Sequence, residues 1–395
     1  MPRTEVGTSG GHSQFCTAAR ANLHVRPWEE AAGYTFAAPW DIVDECVVFL
    51  PHQTSRPIRL FYDNSLKIGG KCAFGTIGTM SAAKERGWGQ PLDYQQTVAS
   101  PVATSGIGLH TGVKVNLRLL PAPGNTGIVF RRTDLEGFTI EAEAGNVARV
   151  SYATSLMKKG VLILTTEHLL SALAAANIDN VIVEIDNLEV PVLDGSALPF
   201  VRLIAEAGCR RQRARRTCLK VLKPVEVVEG AKRIAVYPSG RLQLTYRIAF
   251  SHPLIGEQVL EFVPGTGNYE TEVAPARTFG FLEEVEMLRQ SGLIRGGSLE
   301  NAVVLTRDGI LNPEGLRFPD EFCRHKILDL IGDLALLGRP LIGRVVAERA
   351  GHAMHAQLVS RLLREKASWV VVPGVEREFK ASPPPASELA ASGVA

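Results

Sequence analysis

His325 and Asp329 stand four residues apart, and Asp333 four further on, within Asp320–Leu337, where Ile327, Leu330, Ile331, Leu334 and Leu337 recur at helical spacing. On a helix, positions i, i+4 and i+8 share one face. An imidazole and two carboxylates among aliphatic side chains are costly to bury unless paired or metal-bound. The spacing therefore suits two ligands of a catalytic zinc; a polar stripe facing solvent would produce the same pattern. A second pair, Glu167-His168, follows Thr165-Thr166, which can cap the helix expected over 167–176. A catalytic zinc takes three protein ligands and keeps a fourth position for water, and His168, His325 and Asp329 would supply the three. A carboxylate beside them, Glu167, could take a proton from water whose pKa the metal lowers to about 7. A glutamate in a first helical turn also stabilises the helix dipole, and Glu167 can do both. The order is not that of a zincin, since no second histidine follows His168 at i+4. His352 lies in Gly351-His352-Ala353, on the loop expected between a strand and the last helix. It could protonate a leaving group, although loop histidines are more often inert.

These residues need strands and helices to hold them. Val113–Leu119 alternates as a half-buried strand does, and Pro121–Gly127 is a turn cluster before a strand from Ile128. Strands are expected at Val161–Leu164 and Val181–Ile185, helices over 167–176 and at Pro199–Ala207, with Gly208 as a C-cap. After the charge run Arg210–Arg216 the plan starts again. Strands are expected at Val221–Val228, Arg233–Tyr237, Leu242–Phe250 and Leu341–Ala347, helices at Phe281–Ser291, Asp320–Leu337 and Ala353–Lys366. Glu-His-Leu-Leu-Ser-Ala-Leu at 167–173 echoes Arg-His-Lys-Ile-Leu-Asp-Leu at 324–330, with 157 residues between the histidines. That is too long for a solenoid repeat and points to a duplicated α+β domain with a site between the copies.

At 395 residues, 45% hydrophobic and 21% charged, the chain is globular and long enough for two or three domains. A net charge of +2 excludes a polycation built to coat nucleic acid. Six scattered cysteines without a CxxC pair exclude a disulfide scaffold and a cysteine-rich zinc module, and fit a reducing compartment. No apolar run is long enough for a membrane helix, and Glu29 and Glu30 lie where a signal peptide would be apolar, so the expected location is cytoplasmic. Residues 1–93 carry aromatics and one short candidate strand, Cys46–Leu50, but no sustained pattern. Met80 is a plausible beginning for the working protein; the alternative is a small extra domain. Residues 375–395, with Pro383-Pro-Pro, read as a disordered tail.

Nine segments in order sharpen this reading: Gly106–Gly112, Pro121–Asp134, Thr165–Leu169, Ile178–Asn180, Val192–Phe200, Ala276–Phe281, Gly296–Ser298, His325–Asp329 and Gly351–Ala353. Over roughly 94–372 the chain resembles the UDP-3-O-acyl-N-acetylglucosamine deacetylases. The resemblance implies two duplicated layered α/β sandwich domains, 94–216 and 217–374, with the active site between them and a small insert in each. It implies one zinc per chain, with ferrous iron as the other candidate, on His168, His325 and Asp329. It makes Glu167 the general base, His352 the acid, Asp333 the carboxylate that orients His352, and Thr278 an oxyanion donor. Lys326 would meet the substrate's phosphate or polar groups, though it also reads as a solvated lysine. The second insert, near 278–304, would form an apolar passage for the 3-O-acyl chain, with Phe279, Gly297 and Ser298 along it. Leu109 and His110 would line the site, and Lys232 would reach the nucleotide.

The implied reaction is hydrolysis of the N-acetyl group of UDP-3-O-acyl-N-acetylglucosamine, the committed step of lipid A synthesis, by an enzyme expected to be monomeric. Another zinc amidohydrolase or sugar deacetylase on the same ligands is the alternative. Thr166 stands where the family often has an apolar residue, Ala153 where some members carry a cysteine, and Met354-His-Ala356 departs from the usual run. None of these is a ligand, base or acid. The Arg210–Arg216 run reads as a solvated connection, as a patch for an anionic membrane surface or the diphosphate, or, least well, as a nucleic-acid contact, since no aromatic interleaves with it.

Overall fold

The computed structural model describes residues 92–148, 152–265 and 268–374. The expected strand at Cys46–Leu50, the start at Met80 and the tail from 375 lie outside the described residues.

The first half is built on a five-stranded sheet in the order Val102–Ile107, Lys114–Pro121, Val181–Ile185, Ile128–Arg132, Phe138–Glu141. Alternation creates its buried face: Val115, Leu117 and Leu119 are buried while Lys114, Asn116 and Arg118 are exposed. Val181–Ile185 is central, antiparallel to Lys114–Pro121 and parallel to Ile128–Arg132. Helix α1 (Glu167–Ala175) precedes this strand and α2 (Leu198–Ala207) follows it. Gly208, at φ +68°, ends α2.

The second half repeats this order. Its sheet runs Val225–Glu229, Lys232–Tyr237, Arg344–Glu348, Gln243–Ala249, Glu257–Phe262. The central strand is again the last in sequence, antiparallel to the second strand and parallel to the third. The short helix α3 (Tyr269–Glu272) and α4 (Leu282–Gln290) lie in the segment before α5 (Glu321–Leu334), and α6 (His352–Arg364) follows the central strand. So α1 and α5 occupy equivalent places, each before the central strand of its sheet, and they pack against one another.

Leu169, Leu170, Leu173, Leu328 and Leu330 are fully buried in one continuous core that spans both halves. Each such leucine stabilises the fold by about 1.5–3 kcal/mol. The helices approach closely because α5 carries Gly332 where they cross: a Cβ there would lie 2.1 Å from the carbonyl oxygen of Glu167.

Two expected strands are split. Val221–Val228 is two strands, Thr217–Val221 and Val225–Glu229, because Pro224 offers no N–H to a ladder. Leu341–Ala347 changes sheets at Gly343: Leu341–Ile342 pairs with Thr217–Val221, and Arg344–Glu348 joins the five-stranded sheet. The Arg210–Arg216 run is not an open connection. Its strand, Cys209–Arg215, pairs antiparallel with Tyr94–Val98. The guanidinium carbons of Arg211 and Arg215 lie 3.8 and 4.4 Å from the Tyr94 ring centre. An aromatic does stack with the run, but the partner strand contributes it. Arg216 turns inward to Asp179 and Asn177, at 2.8 and 2.7 Å.

Among the described residues no helix is long and apolar enough to cross a membrane. Cys209, Cys218 and Cys323 are not joined in disulfides; the other three cysteines lie outside the described residues.

Candidate active site

Three helices bring the polar residues together. Glu167 and His168 open α1, His325, Asp329 and Asp333 share one face of α5, and His352 is the first residue of α6 rather than part of the loop before it. The threonines before α1 do not cap it with their hydroxyls. Thr165, at φ +58°, donates instead to Glu189 at 2.9 Å, and Thr166 donates to the Thr154 carbonyl at 3.1 Å. Both bonds anchor the start of α1 to neighbouring loops.

His168, His325 and Asp329 are buried and converge, with one potential ligand atom from each all within 4.8 Å of one another. Asp329 Oδ1 lies 3.6 Å from His168 Nε2 and 3.4 Å from His325 Nε2, and it has no hydrogen-bond partner. An orphaned buried carboxylate oxygen facing two imidazole nitrogens is costly unless a cation completes the group. His325 Nδ1 sits 3.1 Å from the Ala276 carbonyl, which can only accept, so Nδ1 carries the proton and Nε2 presents its lone pair. Burial also pushes the His325 pKa down to about 4, keeping the ring neutral as a ligand must be. Two nitrogens and one carboxylate oxygen fit zinc or ferrous iron.

Beside this group lie a carboxylate and a histidine of opposite tendency. Glu167 is fully buried, and burial raises its pKa, making it a stronger base than an exposed glutamate. Its Oε2 accepts the Thr154 N–H at 3.0 Å. Burial alone would lower His352, but the Asp333 and Asp329 carboxylates reverse this and lift it to about 9. His352 Nδ1 donates to Asp333 Oδ2 at 2.8 Å, while Nε2 lies 3.6 Å from Asp329 Oδ2. Asp333 is itself held at about 2: burial would raise it, but His352 and His355 outweigh that effect.

Two partners of Asp333 were given no role in the site by the sequence. His355 places Nδ1 2.8 Å from Oδ2 and its Nε2 3.0 Å from the Tyr246 hydroxyl. Thr154 donates its hydroxyl to Oδ1 at 2.5 Å. His355 could have been found, since it lies one turn after His352 on an expected helix. Thr154 lies in an irregular stretch with no periodic signal.

A buried cluster of two imidazoles and a carboxylate, with Glu167 and the carboxylate-held His352 beside it, has the groups that metal-assisted hydrolysis uses. Residues 95–364 match the family model of LpxC, UDP-3-O-acyl N-acetylglycosamine deacetylase. The chain belongs to this family. It is 56% identical over 281 residues to a UDP-3-O-acyl-N-acetylglucosamine deacetylase of Solibacter usitatus, covering 71% of this chain and 95% of that protein. Proteins of the same name from Myxococcus xanthus and Syntrophotalea carbinolica are 47% and 48% identical, covering 74% and 71% of this chain and 93% and 91% of theirs.

The other expected residues of this deacetylase-family chain fall into four groups. Lys326 and Phe279 adjoin the cluster: Lys326 Nζ is 3.6 Å from Asp329 Oδ2 and 5.9 Å from the Phe279 ring centre, and that ring lies 6.4 Å from the His325 ring. Thr278 joins the halves through its N–H, which donates to the Gly195 carbonyl at 2.8 Å, while its carbonyl accepts from the Val303 N–H within the second half at 2.8 Å.

Leu109, His110, Gly297 and Ser298 belong to a second contact between halves. The Leu109 and His110 carbonyls accept from Gly296 and Arg295 at 3.0 and 3.2 Å, and Gly297 and Ser298 follow directly in the chain. His110 is buried with neither ring nitrogen hydrogen-bonded, and Glu189 fixes its N–H at 2.8 Å. Lys232 begins the strand whose Arg233 pairs with Glu348, at the end of the sheet from which α6 departs.

Proposed function

We propose that the chain hydrolyses the N-acetyl group of UDP-3-O-acyl-N-acetylglucosamine to UDP-3-O-acyl-glucosamine and acetate, the committed step of lipid A biosynthesis. The observation that carries this reading is the orphaned Asp329 Oδ1 between two imidazoles, with Glu167 and the Asp333-held His352 beside it. His168, His325 and Asp329 would hold a zinc ion. Such an ion supplies a Lewis acid and a lowered pKa for water, to about 7.

The chain's own residues divide the proton transfers. Glu167, a base strengthened by burial, takes a proton from the attacking water. The water oxygen forms the new bond to the acetamide carbon. His352 enters charged, because Asp333 stabilises its proton, and its Nε2 delivers that proton to the nitrogen as the C–N bond breaks. The products are acetate and an amine. Thr278 and Lys326 would offer hydrogen bonds to the oxyanion and to substrate polar groups, and removing one such oxyanion donor costs about 10²–10³ in rate. Phe279, Gly297 and Ser298, within 278–304, would flank the 3-O-acyl chain. Leu109 and His110 would line the site from the first half, and Lys232 would reach the nucleotide. The bounds 94–216 and 217–374 for the two copies belong to the same proposal, supported by their matching strand order.

The test is acetate release by metal-loaded protein from UDP-3-O-acyl-N-acetylglucosamine carrying acyl chains of several lengths. Release with at least one supports the reading. No release with any assigns the site to another amidohydrolase or sugar deacetylase reaction.

A further inference from the structure

We infer that Thr154 is a positioning residue that joins the proton-accepting and proton-donating arms of the site and sets the orientation of His352. This rests on the deacetylase reading given above.

Thr154 is 1% exposed and uses every polar atom it has. Its N–H donates to Glu167 Oε2 at 3.0 Å, and its hydroxyl donates to Asp333 Oδ1 at 2.5 Å. Its carbonyl accepts from both the backbone N–H and the hydroxyl of Thr166, each 3.1 Å away and adjacent to Glu167. One residue of the first half therefore touches the base on α1 and the carboxylate on α5.

The hydroxyl also bears on His352, whose Nδ1 is 3.1 Å from Thr154 Oγ1. A hydroxyl has one proton, and here Asp333 Oδ1 takes it, so Oγ1 faces His352 with lone pairs. Nδ1 is thus met by two acceptors, Oγ1 and Asp333 Oδ2. Both demand that Nδ1 carry hydrogen, which turns Nε2 toward Asp329 and the reacting groups. Asp333 alone could hold Nδ1 while its carboxylate rotated. The Thr154 bond to Oδ1 and the His355 bond to Oδ2 remove that freedom.

Because the Thr154 hydroxyl bonds to Asp333 and faces His352 rather than any of the three candidate ligands, it should affect turnover rather than metal content or substrate binding. The test compares Thr154→Val, which keeps the shape but loses the hydroxyl, with Thr154→Ser, which keeps the hydroxyl. The expected result is a kcat lower by about 10–100-fold in Thr154→Val, in line with other groups that orient a catalytic side chain. KM should stay within about 2-fold, bound metal should be unchanged, and Thr154→Ser should stay within about 3-fold of the parent kcat. The inference is overturned if Thr154→Val keeps the parent kcat, if only KM changes, or if Thr154→Ser falls as far as Thr154→Val. Should Thr154→Val fail to fold, Thr154→Ala against Thr154→Ser makes the same comparison. A readout independent of turnover is the ¹⁵N spectrum of the His352 ring in the metal-loaded protein. A hydrogen-bonded Nδ1–H, weakened in the hydroxyl-free variant, supports the inference; the same spectrum in both overturns it. If the parent protein releases no acetate, the deacetylase reading fails, while the spectrum still decides the role of Thr154.

Discussion

The Cβ that Gly332 lacks would lie 2.1 Å from the carbonyl oxygen of Glu167. This contact fixes how near α5 comes to α1, and so how near Asp329 comes to His168, at 3.6 Å. Gly332→Ala must push the two helices apart or distort one. Overpacking of this kind costs about 1–3 kcal/mol, or about 2–4 °C in Tm per kcal/mol for a body of this size. Activity should fall further than stability, because the same shift moves Asp329 and Asp333 away from His168 and Glu167. Thermal unfolding and kcat/KM measured on one preparation check this; an alanine variant with parental kcat/KM would show that the spacing is not critical.

His168→Ala, His325→Ala and Asp329→Ala should each remove most of the bound metal, because each deletes one of three converging ligand atoms. Elemental analysis of protein purified without added metal gives the stoichiometry, expected at one per chain for the parent protein. Anaerobic purification separates zinc from ferrous iron as the occupant. Metal retained after His325→Ala combined with Asp329→Ala would place it elsewhere.

The pH dependence follows from the His352–Asp333 pair. His352 is raised from 6.5 to about 9 without metal, so its proton stabilises the fold fully below pH 6.5, and that contribution is lost as pH rises through about 9. Asp333 is depressed from 3.8 to about 2, so its contribution is present above pH 3.8 and is lost as pH falls through about 2. Metal-free protein should therefore lose stability on the alkaline side, as chemical denaturation from pH 6 to 10 would show. In turnover the alkaline limb is expected to report loss of the His352 proton, and a cation bound nearby would lower that limb from the metal-free value. Asp333→Asn removes the charge that holds the proton, so the limb should move to lower pH and kcat should fall. An unmoved limb would assign it to another group.

The helical phase of His325, Asp329 and Asp333 was legible because apolar residues on both sides repeat with the same period, and Val181–Ile185 because four β-branched apolar residues, broken only by Glu184, stand between Asn180 and Asp186. The duplicated strand order was only half visible. Its edge strand Glu257–Phe262 alternates weakly, and the break at Gly343 depends on packing: a Cβ there would lie 2.9 Å from Val221 Cγ2. Thr154 and Tyr246 were hidden for a similar reason. Each acts through one hydroxyl whose partners lie more than 100 residues away, so local spacing carries no trace of it.

The last prediction concerns the front of the chain. The family match begins at residue 95, and the Solibacter usitatus relative is 95% covered by an alignment that takes in only 71% of this chain. A protein beginning at Met80 is therefore expected to keep the parental kcat and Tm. One beginning at Ser100 should not, because the strand Tyr94–Val98 is bound into the first half. Thr97 Oγ1 accepts the buried Ala122 N–H at 3.0 Å, the Gln96 N–H donates to Asp179 at 2.8 Å, and Val98 is fully buried. Its removal also strips the paired strand from Cys209–Arg215 and leaves the Ala122 N–H without its acceptor, at a cost of about 1–3 kcal/mol for that group alone. Circular dichroism melts and acetate release from the two shortened proteins separate the cases. Loss of folding in the protein that starts at Met80 would show that residues 1–79 form a domain the deacetylase body needs.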